Sequence, residues 1–216
     1  DLIGKFNTST SDLSDFTASA LFKIRENDLS KWQGEISYQK SIGSSDETGE
    51  VITPMGMRLE KILPYGMQSS DGAARLVFGL TNIRKLNEQI GFGGQIRRKV
   101  VVDDLSWSFG DETDVNAWIQ YSFSESLSFS SRLKFLNKDR ISGSDPLIVA
   151  PVQTADPDNY GGKEIHFGVG MNISFDLFPG GKDLIGVELL TPLTQDKRNL
   201  QMKTDYQLVI GYQKHL

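Results

Sequence analysis

The stretch IHFGVGMNISF, residues 165–175, decides the fold. Ile165, Phe167, Val169, Met171, Ile173 and Phe175 share one parity; His166, Gly168, Gly170, Asn172 and Ser174 share the other. Side chains of a strand alternate between two faces, whereas a helix repeats every 3.6 residues, so this run specifies a β-strand with one apolar and one polar side. The alternation recurs. Phe16, Ala18, Ala20, Phe22 and Ile24 oppose Thr17, Ser19, Lys23 and Arg25, with Leu21 the exception, and Trp32, Gly34, Ile36 and Tyr38 oppose Gln33, Glu35, Ser37 and Gln39. Val115, Ala117, Ile119, Tyr121 and Phe123 oppose Asn116, Trp118, Gln120 and Ser122, and Leu127, Phe129, Leu133 and Phe135 oppose Ser128, Ser130, Arg132 and Lys134.

Extending the pattern predicts nine strands, at 15–25, 32–41, 73–84, 89–99, 114–123, 127–136, 163–175, 183–191 and 204–214. Most have about 9–11 residues, the length that carries a tilted strand across a bilayer, against about 5–6 in an ordinary globular strand. The connections alternate in length. Short turns fall at 26–31, 85–88, 124–126 and 176–182, and longer polar segments at 42–72, 100–113, 137–162 and 192–203. Short turns at one end and long loops at the other are the pattern of an outer-membrane barrel. A Greek-key sandwich has no reason to produce it. The expected fold is therefore all-β, an antiparallel up-and-down transmembrane barrel forming one domain over 1–216. Bacterial barrels of one chain have even strand numbers, so an odd count of nine leads us to expect ten to twelve strands in the whole protein, with N-terminal strands missing or supplied by another chain.

Composition is compatible with this. Hydrophobic content is 38% and mean hydropathy −0.31, but a barrel strand offers only alternate side chains to lipid, so average hydropathy conceals it. The net charge of −5, with no basic stripe carrying interleaved aromatics, argues against nucleic-acid binding. No cysteine is present, which removes disulfides and thiolate metal sites.

The two parities define the candidate residues. Lys23, Arg25, Glu35, Arg75, Arg97, Arg132, Lys134, His166 and Glu188 fall on the polar side and are expected to line the lumen. Phe16, Phe22, Ile119, Phe129, Phe135, Phe167, Val169 and Ile173 fall on the apolar side and are expected to face lipid. On this count cations outnumber anions in the lumen, a lining that favours anionic solutes. No nucleophile elbow, metal-ligand spacing or cofactor fingerprint appears, so we expect neither enzyme nor cofactor. Gly91-Phe92-Gly93-Gly94 lies inside a strand and opens no helix, which removes it as a phosphate cradle. Asp103, Asp104, Asp111, Glu112, Asp114, Asp156 and Asp158, in or bordering the long loops, are candidates for Ca²⁺, with Asp156 and Asp158 the best placed.

Several segments resemble a family of outer-membrane transporters that carries the label meta-pathway of phenol degradation. Ser19-Ala20-Leu21-Phe22 resembles its S-A-L-Y strand. Thr53-Pro54-Met55-Gly56 with Leu63-Pro64-Tyr65-Gly66-Met67-Gln68 resembles its TPMG…LPYPMQ loop. Thr154-Ala155-Asp156-Pro157-Asp158 followed by Gly161-Gly162 resembles its TADPDxxGG segment. Gly186-Val187-Glu188, Pro192-Leu193, Gln195-Asp196, Thr204-Asp205-Tyr206 and Gly211-Tyr212-Gln213 resemble its ending. The order is preserved along nearly the whole chain. Departures are Gly66 in place of a loop proline, the lack of LGSGT after Gln68, and a terminus reading Lys214-His215-Leu216 where barrels usually end in an aromatic. The resemblance implies a Gram-negative outer-membrane location, with lipid as partner and aromatic solutes as cargo.

The expected function is a passive channel for small solutes, aromatic or anionic, with 42–72 and 137–162 as gating loops. Two alternatives follow from the same pattern. One is a non-conducting scaffold in an envelope complex. The other is a soluble barrel module with Phe16, Phe22, Phe129 and Phe167 pointing inward.

Overall fold

The computed structural model describes residues 8–52, 55–148, 153–176 and 181–214. Thr53 and Pro54 of the family-like loop, and the terminal His215 and Leu216, lie outside them. In chain order the strands are β1 (Asp15–Asn27), β2 (Ser30–Ser41), β3 (Thr48–Ile52), β4 (Arg58–Ile62), β5 (Ala74–Lys85), β6 (Ile90–Val101), β7 (Trp107–Ser108), β8 (Glu112–Ser122), β9 (Leu127–Lys138), β10 (Ser142–Gly143), β11 (Gly162–Phe175), β12 (Asp183–Lys197) and β13 (Gln207–Lys214).

Nine of these form one antiparallel sheet in the order β1-β2-β5-β6-β8-β9-β11-β12-β13. Each strand pairs with its neighbour in the chain, and the sheet curls into a half-barrel. Among the described residues β1 pairs only with β2, and β13 only with β12. The short turns are held by their own side chains. Asn27 Oδ1 accepts from the Leu29 and Ser30 amides (3.2 and 2.8 Å), and Asn87 Oδ1 accepts from the Gln89 and Ile90 amides (2.9 and 2.7 Å). An asparagine that bonds the backbone two and three residues on replaces the first ladder bonds of a hairpin.

Two departures from the sequence reading share one cause, a bulge. β12 continues to Lys197, past Pro192, where the absence of an amide donor suggests an end. The ladder tolerates the proline through a bulge: Ile165 pairs with Thr194 but His166 with Pro192. On β1 a second register shift pairs Lys23 with Gln33 but Arg25 with Trp32. This inserts Ile24 and moves Arg25 to the opposite face, so its assignment to the lumen is corrected.

The long connections are not featureless. The 42–73 segment carries the β3–β4 hairpin, and β7 pairs with β10 between two further loops. All stand at one end of the sheet, where they build the protein's buried apolar cluster: Tyr65, Trp107, Ile141, Ile148 and Ala155, with Ile62, Phe109 and Tyr160 against it.

Candidate functional site

The register places the two sides of the sheet residue by residue. One carries Phe16 and Phe22 (β1), Ile36 and Tyr38 (β2), Phe78 and Leu80 (β5), Ile96 (β6), Val115 and Ile119 (β8), Phe129 and Leu133 (β9), Phe167 to Ile173 at alternate positions (β11), Ile185 and Leu189 (β12), and Leu208 and Ile210 (β13). All of these are exposed. Phe135 sits half-buried on the same side, opposite Val115 and Ile165. Charges on this side stand at the two ends of the strands: Lys40, Arg98, Lys163 and Asp196 by the long loops, and Arg25, Arg84, Asp183 and Lys214 by the short turns.

The other side is the inside of the curl, because side chains from β1 through β13 line a single cavity of about 480 Å³ on it. Lys23, Glu35, Arg75, Arg97, Arg132, Lys134, His166 and Glu188 all stand on this concave side. They do not form the net basic lining expected from their count. Arg97 forks onto Glu35 (3.0 and 2.8 Å), Arg132 meets Glu188 (2.9 Å) and Lys134 meets Asp114 (3.2 Å). Lys99 and Lys138 share Glu112 (3.1 and 3.3 Å), and Lys197 meets Glu164 (3.1 Å), whose other carboxylate oxygen lies 2.8 Å from His166 Nε2. Lys23 pairs with Glu26 (3.1 Å). Glu112, expected in a loop, and Asp114, expected at a loop's border, both belong to β8 and are counter-ions of the lining.

Glycine and one aromatic shape the wall. Trp118 lies over Gly93 so closely that a Cβ there would overlap its ring. Ser130, Arg132, Gly170, Asn172, Gly186 and Glu188 border a second hollow of about 270 Å³ beside Trp118.

At the loop end the cavity is roofed. Asp71, 1% exposed, forms a two-pronged pair with Arg75, 5% exposed, one prong being Nη1 to Oδ1 at 3.1 Å. Asp71 Oδ2 also accepts from the Phe109 amide (2.8 Å), and Oδ1 from the Ala73 amide (3.0 Å). Burial raises the Asp71 pKa, but the Arg75 hydrogen bond, the two amides and the Arg75 charge outweigh it and hold the carboxyl below its usual range. Tyr65 packs edge-on against Trp107 (ring centroids 4.8 Å apart), and Trp107 against Phe109 (5.4 Å). The Tyr160 hydroxyl donates to the Thr154 carbonyl (2.7 Å) and accepts from the Gly66 amide (2.8 Å), joining two loops; burial pushes its pKa up. Nothing periodic marks these aromatics in the sequence, and the Leu63-Pro64-Tyr65-Gly66 and Thr154-Ala155-Asp156 motifs are the signals that lie nearest to them.

The two best-placed Ca²⁺ candidates are otherwise engaged. Asp156 caps a short turn by accepting from the Asp158 amide (2.9 Å), and Asp158 pairs with Arg140. Among the described residues no three His, Cys, Asp or Glu side chains converge as a metal site would need. Compared with protein-family models and with curated proteins, the chain matches none.

Proposed function

We propose that this chain builds the wall of a Gram-negative outer-membrane β-barrel that passes small solutes passively along its concave side. The observation that carries the reading is the convex belt. It runs over all nine strands, large apolar side chains on it stay exposed, and its charges are confined to the ends. Soluble proteins rarely expose contiguous apolar patches above a few hundred Å², because water penalises them. Hydrocarbon carries no such penalty, and in it a backbone satisfied by sheet pairing is the only alternative to a helix. Phe16, Phe22, Phe129 and Phe167 point outward, opposite to the arrangement a binding module with an apolar interior needs. The strand lengths and the likeness of the loop motifs to outer-membrane transporters support the same reading.

Reconstitution of the protein into planar bilayers tests it. Discrete conductance steps are expected. A protein that inserts but insulates sinks transport and favours the scaffold reading, which the ion pairs across the concave wall also suit.

A further inference from the structure

The charge pattern of the concave wall bears on which solutes it fits. Resting on the channel reading, we propose that the passage selects small polar solutes without net charge, zwitterions foremost, and that Glu35, Asp114 and Glu188 are specificity determinants because each cancels the cation it holds.

The argument starts from the pairs. Arg97, Lys134 and Arg132 would each present a full positive charge to a passing anion if they stood alone. Each instead has a carboxylate within 3.2 Å. A compensated pair acts at a distance as a dipole, whose field falls off more steeply than that of a charge, so an anion gains little and must still shed its water. The signs also alternate around the arc: Glu35 on β2, Arg97 on β6, Asp114 on β8, Lys134 on β9, Glu188 on β12. Arg97 and Asp114 are direct register partners. A solute with an ammonium and a carboxylate a few ångströms apart can address two neighbouring poles together, and a hydroxylated neutral solute can bond either. The wall is poorly suited to hydrophobic aromatics. Trp118 is the one aromatic that the described strands of the large sheet place on the concave side; the others stand on the convex side.

The pairs are open enough to be tested. Arg97 keeps 40% of its side chain exposed and Arg132 39%, so releasing either exposes a cation to the passage without burying it alone. The protein is reconstituted in planar bilayers under a KCl gradient, and in liposomes for swelling assays with glycine, arabinose, glutamate and lysine as probes. The expected wild-type result is weak ion selectivity, with a K⁺/Cl⁻ permeability ratio within about twofold of unity. Glycine and arabinose should enter several-fold faster than glutamate or lysine. Glu35→Gln should move the reversal potential toward anions and Arg97→Gln toward cations. Opposite shifts from neutralising the two members of one pair cannot arise from misfolding. A strongly anion-selective wild type, or shifts of the same sign in both variants, overturns the inference while leaving the channel reading in place. An insulating wild type overturns the channel reading, and the inference with it.

Discussion

Two adjacent serines offer the sharpest test of what touches the convex belt. Ser131 lies on that side, opposite Ile119 and Val169; Ser130 lies on the concave side, opposite Gln120 and Gly170. The same substitution, Ser→Arg, removes the same atoms and adds the same charge at one height in the wall. Depth follows from the register. On β11 the uncharged convex run extends from Ile165 to Phe175, ten residue steps. At about 3.3 Å each this is about 33 Å, or about 25 Å along the normal for a strand tilted by about 40°. Its midpoint falls between Val169 and Met171, and Ser131 is the register partner of Val169, so Ser131 sits near the middle of the belt. An arginine at the bilayer midplane of a barrel costs about 2–4 kcal/mol. That is roughly a 30- to 800-fold drop in the folded-to-unfolded ratio. On a water-exposed surface the same change is worth about ±0.5 kcal/mol. Ser130 borders the hollow beside Trp118, so an arginine there has room to extend into it. Urea titration of the vesicle-folded protein, followed by heat-modifiable gel mobility, measures both. Ser131→Arg should lose about 2–4 kcal/mol and Ser130→Arg less than about 1 kcal/mol. Equal losses at the two positions would refute hydrocarbon contact on the convex side.

Three further outcomes follow from the same geometry. Asp71→Asn should loosen the roof by about 3–5 kcal/mol of local stability, because it strands Arg75 in a buried setting, and limited proteolysis within 42–73 should speed up accordingly. The lowered Asp71 pKa fixes the sign in wild type: the contribution is whole above the ordinary Asp value of about 3.9 and is lost as pH falls through the lower folded value, so acid should open the same segment below about pH 4, a transition absent from Asp71→Asn. Gly93→Ala should destabilise by about 1–3 kcal/mol in chemical denaturation, since its methyl overlaps the Trp118 ring, and Gly93→Ala with Trp118→Ala should recover part of that loss relative to the sum of the single changes. Arg25→Gln should leave the K⁺/Cl⁻ permeability ratio unchanged, because the β1 bulge turns Arg25 to the convex side beside Trp32, whereas Arg97→Gln should change it.

Period two was enough to read the faces from sequence, since each strand reports its own parity. Ile165 to Phe175 required no partner to be assigned, and the same holds for Phe129 or Ile119. What parity cannot carry is an extra residue. Ile24 and Leu193 each sit at a bulge, and a bulge is a property of a pair of strands. Arg25 was therefore placed on the wrong side, and β12 was cut short at Pro192. The roof was illegible for a related reason: Tyr65, Trp107 and Tyr160 come from three separate loops, and loop packing leaves no periodic trace.

The charge balance of the concave wall shows most clearly where a one-dimensional reading stops. Counting polar-side residues within strands finds an excess of cations, because Glu112 and Asp71 lie outside the strand limits that alternation can define, and the count omits Asp114 and Glu164, which stand at the edges of theirs. Glu112 and Asp114 open β8 after a polar loop, and Asp71 precedes β5 altogether. Their partners Lys138, Lys134 and Arg75 are fixed by register and by loop closure. Glu35 finds Arg97 across sixty-two positions of chain. A lining's composition is thus a sum over one sequence, but its field is a sum over pairs. The distinction carries the proposed selectivity, because seven isolated cations would draw anions, whereas the same cations held against Glu35, Asp71, Glu112, Asp114, Glu164 and Glu188 present alternating poles to which a solute carrying both signs is complementary.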